Sequence, residues 1–238
     1  MTIPRTIDFA EIDDETLNQL YRCPDQWVRA NFVSAIDGTT AIEGRTGTLT
    51  APTDQRVMAC LRAAADVVLL GAGTARAEGY ASIRLDEQQV QQRKSRGQAA
   101  DLPVAVVSAS GQLPVHLVGQ AGPTIVLLPQ GLLAARALED AGAQLLTLSQ
   151  LTPAAILAAL RELGLTRILC EGGPTLLGQL IGADLLDELC LTTAPMLVAG
   201  PAHPVAVAER AAVRSMTCQQ LLISDDGYQF ARWIRARE

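Results

Sequence analysis

A short apolar run that ends in a glycine-rich turn occurs twice in this chain, as VVLLGAGT at 67–74 and ILCEGGPT at 168–175. A continuous apolar run of this length is what a strand buried on both faces requires. Glycine allows a tight turn and a close approach of backbone or ligand. A helix that starts there points free N–H groups forward, toward an anion such as a phosphate. Two such junctions in one sheet can hold the two ends of a nucleotide. They also constrain the fold class, because strands that alternate with helices build a mostly parallel sheet covered by helices.

The remaining elements fit that frame. Strands are expected at 27–36, 103–108, 123–129, 143–149 and 186–197, with two more near 215–224 and 228–234 joined by Asp225-Asp226-Gly227. The last pair reads as antiparallel strands at one edge. Helices are expected after Thr50 and Pro52, from 72 to Glu78, at 131–141 closed by Gly142, from Thr152-Pro153 to Gly164, and from Pro174 to Gly182. Ser, Thr or Pro at the start and glycine past the end are the punctuation of a helix. Residues 1–26 read as an irregular, acidic lead-in with one short helix, and 27–238 as a single domain. Residues 75–101 are polar; beyond Glu78 they read as a loop, with Arg93, Lys94 and Arg96 in solvent.

Composition removes several classes. Apolar residues make up 49% of the 238 positions, enough for a sizeable core, and aromatics only 3%, so Ala, Leu and Val must fill it. With 19 basic and 25 acidic residues the net charge is −6, which repels nucleic acid. Five cysteines at 23, 60, 170, 190 and 218 have no framework spacing, so no disulfide scaffold is expected. The first residues lack an apolar signal region, and no apolar run reaches the ~18 residues of a membrane span. A cytoplasmic protein is expected.

Motifs narrow the chemistry. Only two histidines, His116 and His203, are present, and no metal site is expected. There is no G-x-S-x-G elbow and no zinc deaminase signature. There is also no G-x-x-x-x-G-K-[ST] loop, and Lys94 is the sole lysine. The first junction, G-A-G-T-A-R, lacks the third glycine of the Rossmann fingerprint and has no acid about 20 residues on. The standard NAD site is excluded, and a different nucleotide-type cleft remains.

One series of motifs carries a resemblance. N-F-V-S-A-I-D-G (31–38), T-A-P-x-D (50–54), L-R (61–62), V-x-L-G-A-G-T (68–74), A-E-G-Y (77–80), E-G-G-P-T-L (171–176), and L-D-E-L (186–189) before A-P (194–195) follow one another in order. This series resembles the riboflavin-pathway pyrimidine reductases, the family of the C-terminal reductase domain of the bifunctional deaminase–reductase. The stand-alone actinobacterial members are the most similar. The resemblance implies a dihydrofolate reductase-like α/β fold, NADPH as cofactor, a homodimer, and reduction of a ribosylaminopyrimidine 5′-phosphate to its ribitylamino form.

It also implies roles for residues. Gly71, Gly73 and Thr74 at one junction, and Gly172, Gly173, Pro174, Thr175 and Leu176 at the other, face the cofactor phosphates. Val33 and Thr48 fall beside the nicotinamide half, Glu78 near the cofactor, and Ser108 near the adenosine 2′-phosphate. Arg62 matches a position that holds the substrate's phosphate end. Thr46, Arg84 and Glu171 match further substrate positions. Glu171, Asn31 and Asp37 are the candidate catalytic residues. Asp37-Gly38 is equally the pair a type I′ turn uses. No residue stands out as the general acid, and water could deliver the proton. Asn31 stands where the family usually carries lysine, and Thr48 where many members carry tryptophan. Two other readings stay open: reduction of dihydrofolate or a related pterin on the same fold, and NADPH binding without turnover.

Overall fold

A computed structural model describes residues 6–132, 135–201 and 203–236. Seven strands run parallel to their neighbours through the middle of the sheet: β2 (Val28–Ala35), β3 (Val67–Gly71), β4 (Val104–Val107), β5 (Thr124–Pro129), β6 (Gln144–Leu148), β7 (Ile168–Gly172) and β8 (Glu188–Ala194). Beside β8 lies β10 (Gln229–Arg235), antiparallel to it and to β9 (Met216–Ile223). At the edge, β1 (Thr6–Asp8) pairs parallel with β9. The order across the sheet is β1-β9-β10-β8-β2-β7-β3-β4-β5-β6. The α/β class and the antiparallel C-terminal strands agree with the sequence. Asp225-Asp226-Gly227 closes the last hairpin, with the Ser224 N–H donating to the Tyr228 carbonyl at 3.0 Å.

The apolar runs are continuous because both faces of the sheet are covered. Along β3, Val68 and Leu70 enter one core while Val67 and Leu69 enter the other, the period-two alternation of a strand. The helices are α1 (Asp14–Leu20), α2 (Pro52–Ala64), α3 (Ala72–Glu78), α4 (Glu87–Ser95), α5 (Ala135–Asp140), α6 (Pro153–Glu162) and α7 (Pro174–Gly182). The apolar face of α2 (Val57, Leu61) fills the first core. Ile156, Leu157 and Leu160 of α6 and Leu176, Leu177 and Leu180 of α7 fill the second. Of the helix expected at 131–141, residues 131 and 132 are not helical, 133 and 134 lie outside the described residues, and α5 covers Ala135–Asp140.

Three local expectations are corrected. Thr50 does not cap α2; the N-cap is Ala51, and Thr50 Oγ1 donates to the Thr46 carbonyl at 3.4 Å instead. α7 ends at Gly182 as expected, and Asp184, two residues further on, takes a left-handed conformation with φ of 66°. The loop expected beyond Glu78 contains α4, opened by a capping box between Asp86 and Gln89. Arg93 of α4 is 1% exposed and donates to the carbonyls of Ala65, Ala99 and Asp101. A helix anchored by an arginine on carbonyls has no apolar stripe to betray it. The lead-in is ordered too, since Phe9, Ile12, Leu17 and Tyr21 all enter the first core. Among the described residues no helix is long and apolar enough to cross a membrane.

The antiparallel half is tied to β2 by a buried ionic cluster. Glu188, at 0% exposure, accepts from Arg29 Nη2 at 3.0 Å, Arg232 Nε at 2.7 Å and Trp27 Nε1 at 2.7 Å, and forms an ion pair with each of the two arginines. Burial pushes the Glu188 carboxyl up, but the two guanidinium groups outweigh it and hold the carboxyl below the ordinary glutamate value of 4.5. A carboxyl lowered in the folded state stabilises fully above its unfolded pKa, and that stability is lost as pH falls through the folded value. Glu188→Gln should therefore cost about 3–5 kcal/mol at neutral pH. In urea unfolding measured across the acid range, the variant should show a shallower loss of stability below the glutamate range than the parent protein.

Candidate active site

The functional cleft is assembled where β3 and β7 end side by side. The two glycine junctions touch. A Cβ on Gly173 would lie 2.7 Å from Thr74 Oγ1, and one on Gly172 2.9 Å from Thr74 Cγ2. Gly71 approaches the Gly173 nitrogen, which would stand 3.5 Å from a Cβ at Gly71. At Gly172 the backbone also has φ of 140°, a value side chains disfavour. Only glycine lets the two turns meet at this distance.

In front of them opens a cleft of about 1080 Å³. Its walls come from β2, the 40–50 loop, α2, the two junctions and a strap at 203–207 between β8 and β9. The strap is fixed at both ends. The Thr40 N–H and Oγ1 donate to the His203 carbonyl at 2.8 and 2.9 Å, and the Val207 N–H donates to the Pro174 carbonyl at 3.0 Å.

Most of the anticipated residues converge here. Asn31 and Val33 line the cleft from β2, Thr46 from the loop, and Arg62 from α2. Gly71, Gly73, Thr74 and Glu78 line it from the first junction and its helix. Glu171, Gly172 and Gly173 line it from the second, with Pro174, Thr175 and Leu176 opening α7. Neither Gly71 nor Gly173 has a side chain to cap the helix it precedes. Glu78 reaches back to the loop, where its Oε1 accepts the Thr46 N–H at 3.1 Å.

Four candidates are not on the cleft wall. Asp37 is exposed, and its two carboxylate oxygens each accept a backbone N–H at 3.3 Å, from Thr39 and from Val198. It shapes the turn after β2, in which the Ala35 N–H donates to the Thr39 carbonyl at 2.8 Å, rather than reaching the cleft. No paired strand follows that turn, so the type I′ hairpin does not form. Thr48 points out of a short 3-10 turn and is exposed. Arg84 is exposed beyond α3. Ser108 is buried between two lining residues, Val107 and Ala109, and its hydroxyl has no hydrogen-bond partner.

The centre of the cleft is a closed ionic unit. Arg62 donates to Glu171 in bidentate fashion, Nε to Oε1 at 2.8 Å and Nη2 to Oε2 at 2.7 Å. Tyr80 donates its hydroxyl to Glu171 Oε2 at 2.9 Å, and the Arg62 guanidinium carbon stands 5.6 Å from the centre of the Tyr80 ring. Burial and the Glu171 charge push the Tyr80 hydroxyl well above its ordinary value, so it remains a donor.

Sequence reasoning gave no role to Tyr80 or to Asp54, although both stand in the quoted motifs. Asp54 lines the cleft at 6% exposure, on the same α2 face as Met58 and Arg62. The i, i+4, i+8 spacing of these three was the available signal. Burial pushes the Asp54 carboxyl up and the Glu171 charge adds to that, against the Thr192 hydroxyl, which favours the ionised form. The Cys170 thiol, one residue before Glu171, is pushed up to about 12 by burial and stays protonated. Among the described residues no cluster of His, Cys, Asp or Glu could hold a metal ion.

Fold and cleft together define an α/β protein that takes its ligand at the carboxyl ends of parallel strands. Residues 26–230 match the RibD C-terminal domain, and the chain belongs to that family. It is similar to the 2,5-diamino-6-ribosylamino-4(3H)-pyrimidinone 5′-phosphate reductase of Archaeoglobus fulgidus, with 23% identity over 75% of this chain and 84% of that one. A pyrimidine reductase-like protein from Corynebacterium diphtheriae shares the fold, with a TM-score of 0.78 and 23% identity over 98% of this chain and 100% of that one. RibD of Acinetobacter baumannii shares it at a TM-score of 0.70 and 19% identity over 90% of this chain, which spans 59% of that longer protein.

The contact between the junctions is testable by itself. Gly173→Ala should destabilise the protein by about 1–3 kcal/mol in thermal unfolding, because the new methyl meets Thr74. Adding Thr74→Ala should restore much of the loss. Additive losses instead would show that the two positions are not coupled.

Proposed function

We propose that the protein is an NADPH-dependent reductase that converts the ribosylamino sugar of a riboflavin-pathway pyrimidine into the open ribitylamino chain. The observation that carries this reading is the joined pair of glycine junctions facing a closed Arg62–Glu171–Tyr80 unit across one cleft. Family membership and the named activity of the archaeal relative support it.

The residues fit the cofactor. A nucleotide phosphate needs backbone N–H groups and room for close approach. The uncapped start of α7 offers the first, and the turns at Gly71–Thr74 and Gly172–Gly173 offer the second. When bound, NADPH supplies the hydride. Val33 would border its nicotinamide half. The unpartnered Ser108 hydroxyl, buried between the lining residues Val107 and Ala109, would be the donor for the adenosine 2′-phosphate.

The chain's own work is orientation and proton supply. Reducing the ring-opened sugar consumes one hydride at carbon and one proton at nitrogen. Asp54, held toward its protonated form on the cleft wall, donates that proton and regains it from solvent. Asn31 donates from its amide to a sugar oxygen, and Glu171 accepts from a sugar hydroxyl. The reading includes the homodimer and the cytoplasmic setting that the resemblance implies, and sedimentation measures the first.

Titration should show a clear preference for NADPH over NADH; binding of neither would remove the reading. NADPH oxidation should be observed with the ribosylaminopyrimidine and not with dihydrofolate. The reverse result would make the protein a pterin reductase. Asp54→Asn should lower turnover by about 10²–10⁴-fold. In the parent protein the rate should fall as pH rises through the raised Asp54 value, and that fall should vanish in the variant. Glu171→Gln should lower turnover more than NADPH affinity.

A further inference from the structure

Glycine inside a helix is unfavourable, because it gives up more backbone freedom than alanine and packs nothing. Yet α7 carries Gly178 in its middle, buried. The structure gives one reason. A Cβ on Gly178 would overlap the Val207 carbonyl oxygen and stand 2.6 Å from the Val207 carbonyl carbon and 3.2 Å from its nitrogen. All three are backbone atoms, so no side-chain rotation relieves the clash. Gly182, one turn further along the same helix, has nothing within 4 Å of its Cβ position.

Val207 belongs to the strap that runs from the 40–50 loop to α7. Its N–H reaches the Pro174 carbonyl at 3.0 Å, while its own carbonyl lies in the notch at Gly178, one turn along. The other end hangs on Thr40, whose N–H and Oγ1 both donate to the His203 carbonyl. Between these anchors Val205 and Ala206 pack on the second core. Pro204 stiffens the segment by fixing its own φ. His203, Pro204 and Val207 are thereby left facing the cleft. The strap contains no lysine, arginine or carboxylate, so it offers a ligand a fitted wall more than a charge. It stands beside the first turns of α7, where Pro174, Thr175, Leu176 and Gln179 line the same cleft. This is the end at which the reading above puts the cofactor phosphates.

We propose that the 203–207 strap clamps the nicotinamide cofactor against the start of α7, and that Gly178 is the positioning residue that seats the clamp. The proposal rests on the reductase reading and adds a determinant that touches neither cofactor nor substrate. Gly178 is itself off the cleft wall, so it acts only through the strap. A wall already held in place need not be ordered when the cofactor binds, and that saving appears as affinity.

Gly178→Ala tests the seat, because alanine favours the helix but evicts the strap. Calorimetry should show NADP⁺ bound about tenfold more weakly than by the parent protein. In turnover, the KM for NADPH should rise more than kcat falls. Hydrogen exchange reads the strap without catalysis: the Val207 amide should exchange faster in the variant, and in the parent more slowly once NADP⁺ is bound. Thr40→Val loosens the other anchor without touching α7, and decides the question should the first variant not fold. It should weaken NADP⁺ binding in the same direction by less, and Thr40→Ser, which keeps the hydroxyl, should restore it. Unchanged NADP⁺ affinity in Gly178→Ala, equal affinities in the two Thr40 variants, or a Val207 amide indifferent to NADP⁺ overturns the proposal. A parent protein that binds neither NADP⁺ nor NADPH sinks the reductase reading as well, whereas normal binding with indifferent variants sinks the clamp alone.

Discussion

Everything in the cleft depends on the close approach of the two glycine turns at the ends of β3 and β7. These strands are about a hundred residues apart in sequence and are neighbours in the sheet, pairing from Val67 with Ile168 to Leu70 with Gly172. Thr74 occupies the space that a side chain at Gly172 or Gly173 would need. The register shifts between Leu69 and Leu70, where the ladder gives way to the turns. The two junctions are therefore one surface, and the starts of α3 and α7 share it.

The cleft sorts its two buried carboxylic acids by their surroundings. Glu171 has a guanidinium and a phenol to itself, whereas Asp54 has burial, a nearby negative charge and a single hydroxyl. Three donated hydrogen bonds fix Glu171 as an acceptor, whereas burial pushes the Asp54 carboxyl up. The same economy recurs at Glu188, where two arginines and a tryptophan hold a fully buried carboxylate between β2 and β10. There the product is a rigid joint between the parallel and antiparallel halves of the sheet.

The strands were legible in the sequence because burial on both faces writes itself as an unbroken apolar run. Helices with caps and apolar stripes, such as α6 with Thr152 and Gly164, were legible for a related reason. The elements that escaped lack that signature. Arg93 holds α4 through carbonyls, and β1 is three residues long and paired only to a C-terminal strand. In the cleft, glycines and Glu171 stood out by their position at strand ends. The pairing of Arg62 with Glu171 did not, because nothing in two distant motifs announces that their side chains bond to each other. Asp37 misled for the opposite reason: an Asp-Gly pair serves a turn and a site equally well, and here its carboxylate is occupied by backbone N–H groups.

The strand order carries one more consequence. In the finished sheet β2 and β3 do not touch; β7 lies between them, although it is made long after both. A growing chain that has produced everything up to α6 thus holds β3 to β6 as one partial sheet, while β2 has no strand beside it, because both of its neighbours, β7 and β8, are still to come. The cleft's last wall, the strap at 203–207, arrives later still. Such non-local closure is slow and leaves edges open to other chains while it waits. Binding competence should therefore appear only once β7 and the strap have been made, because the second glycine junction comes with β7.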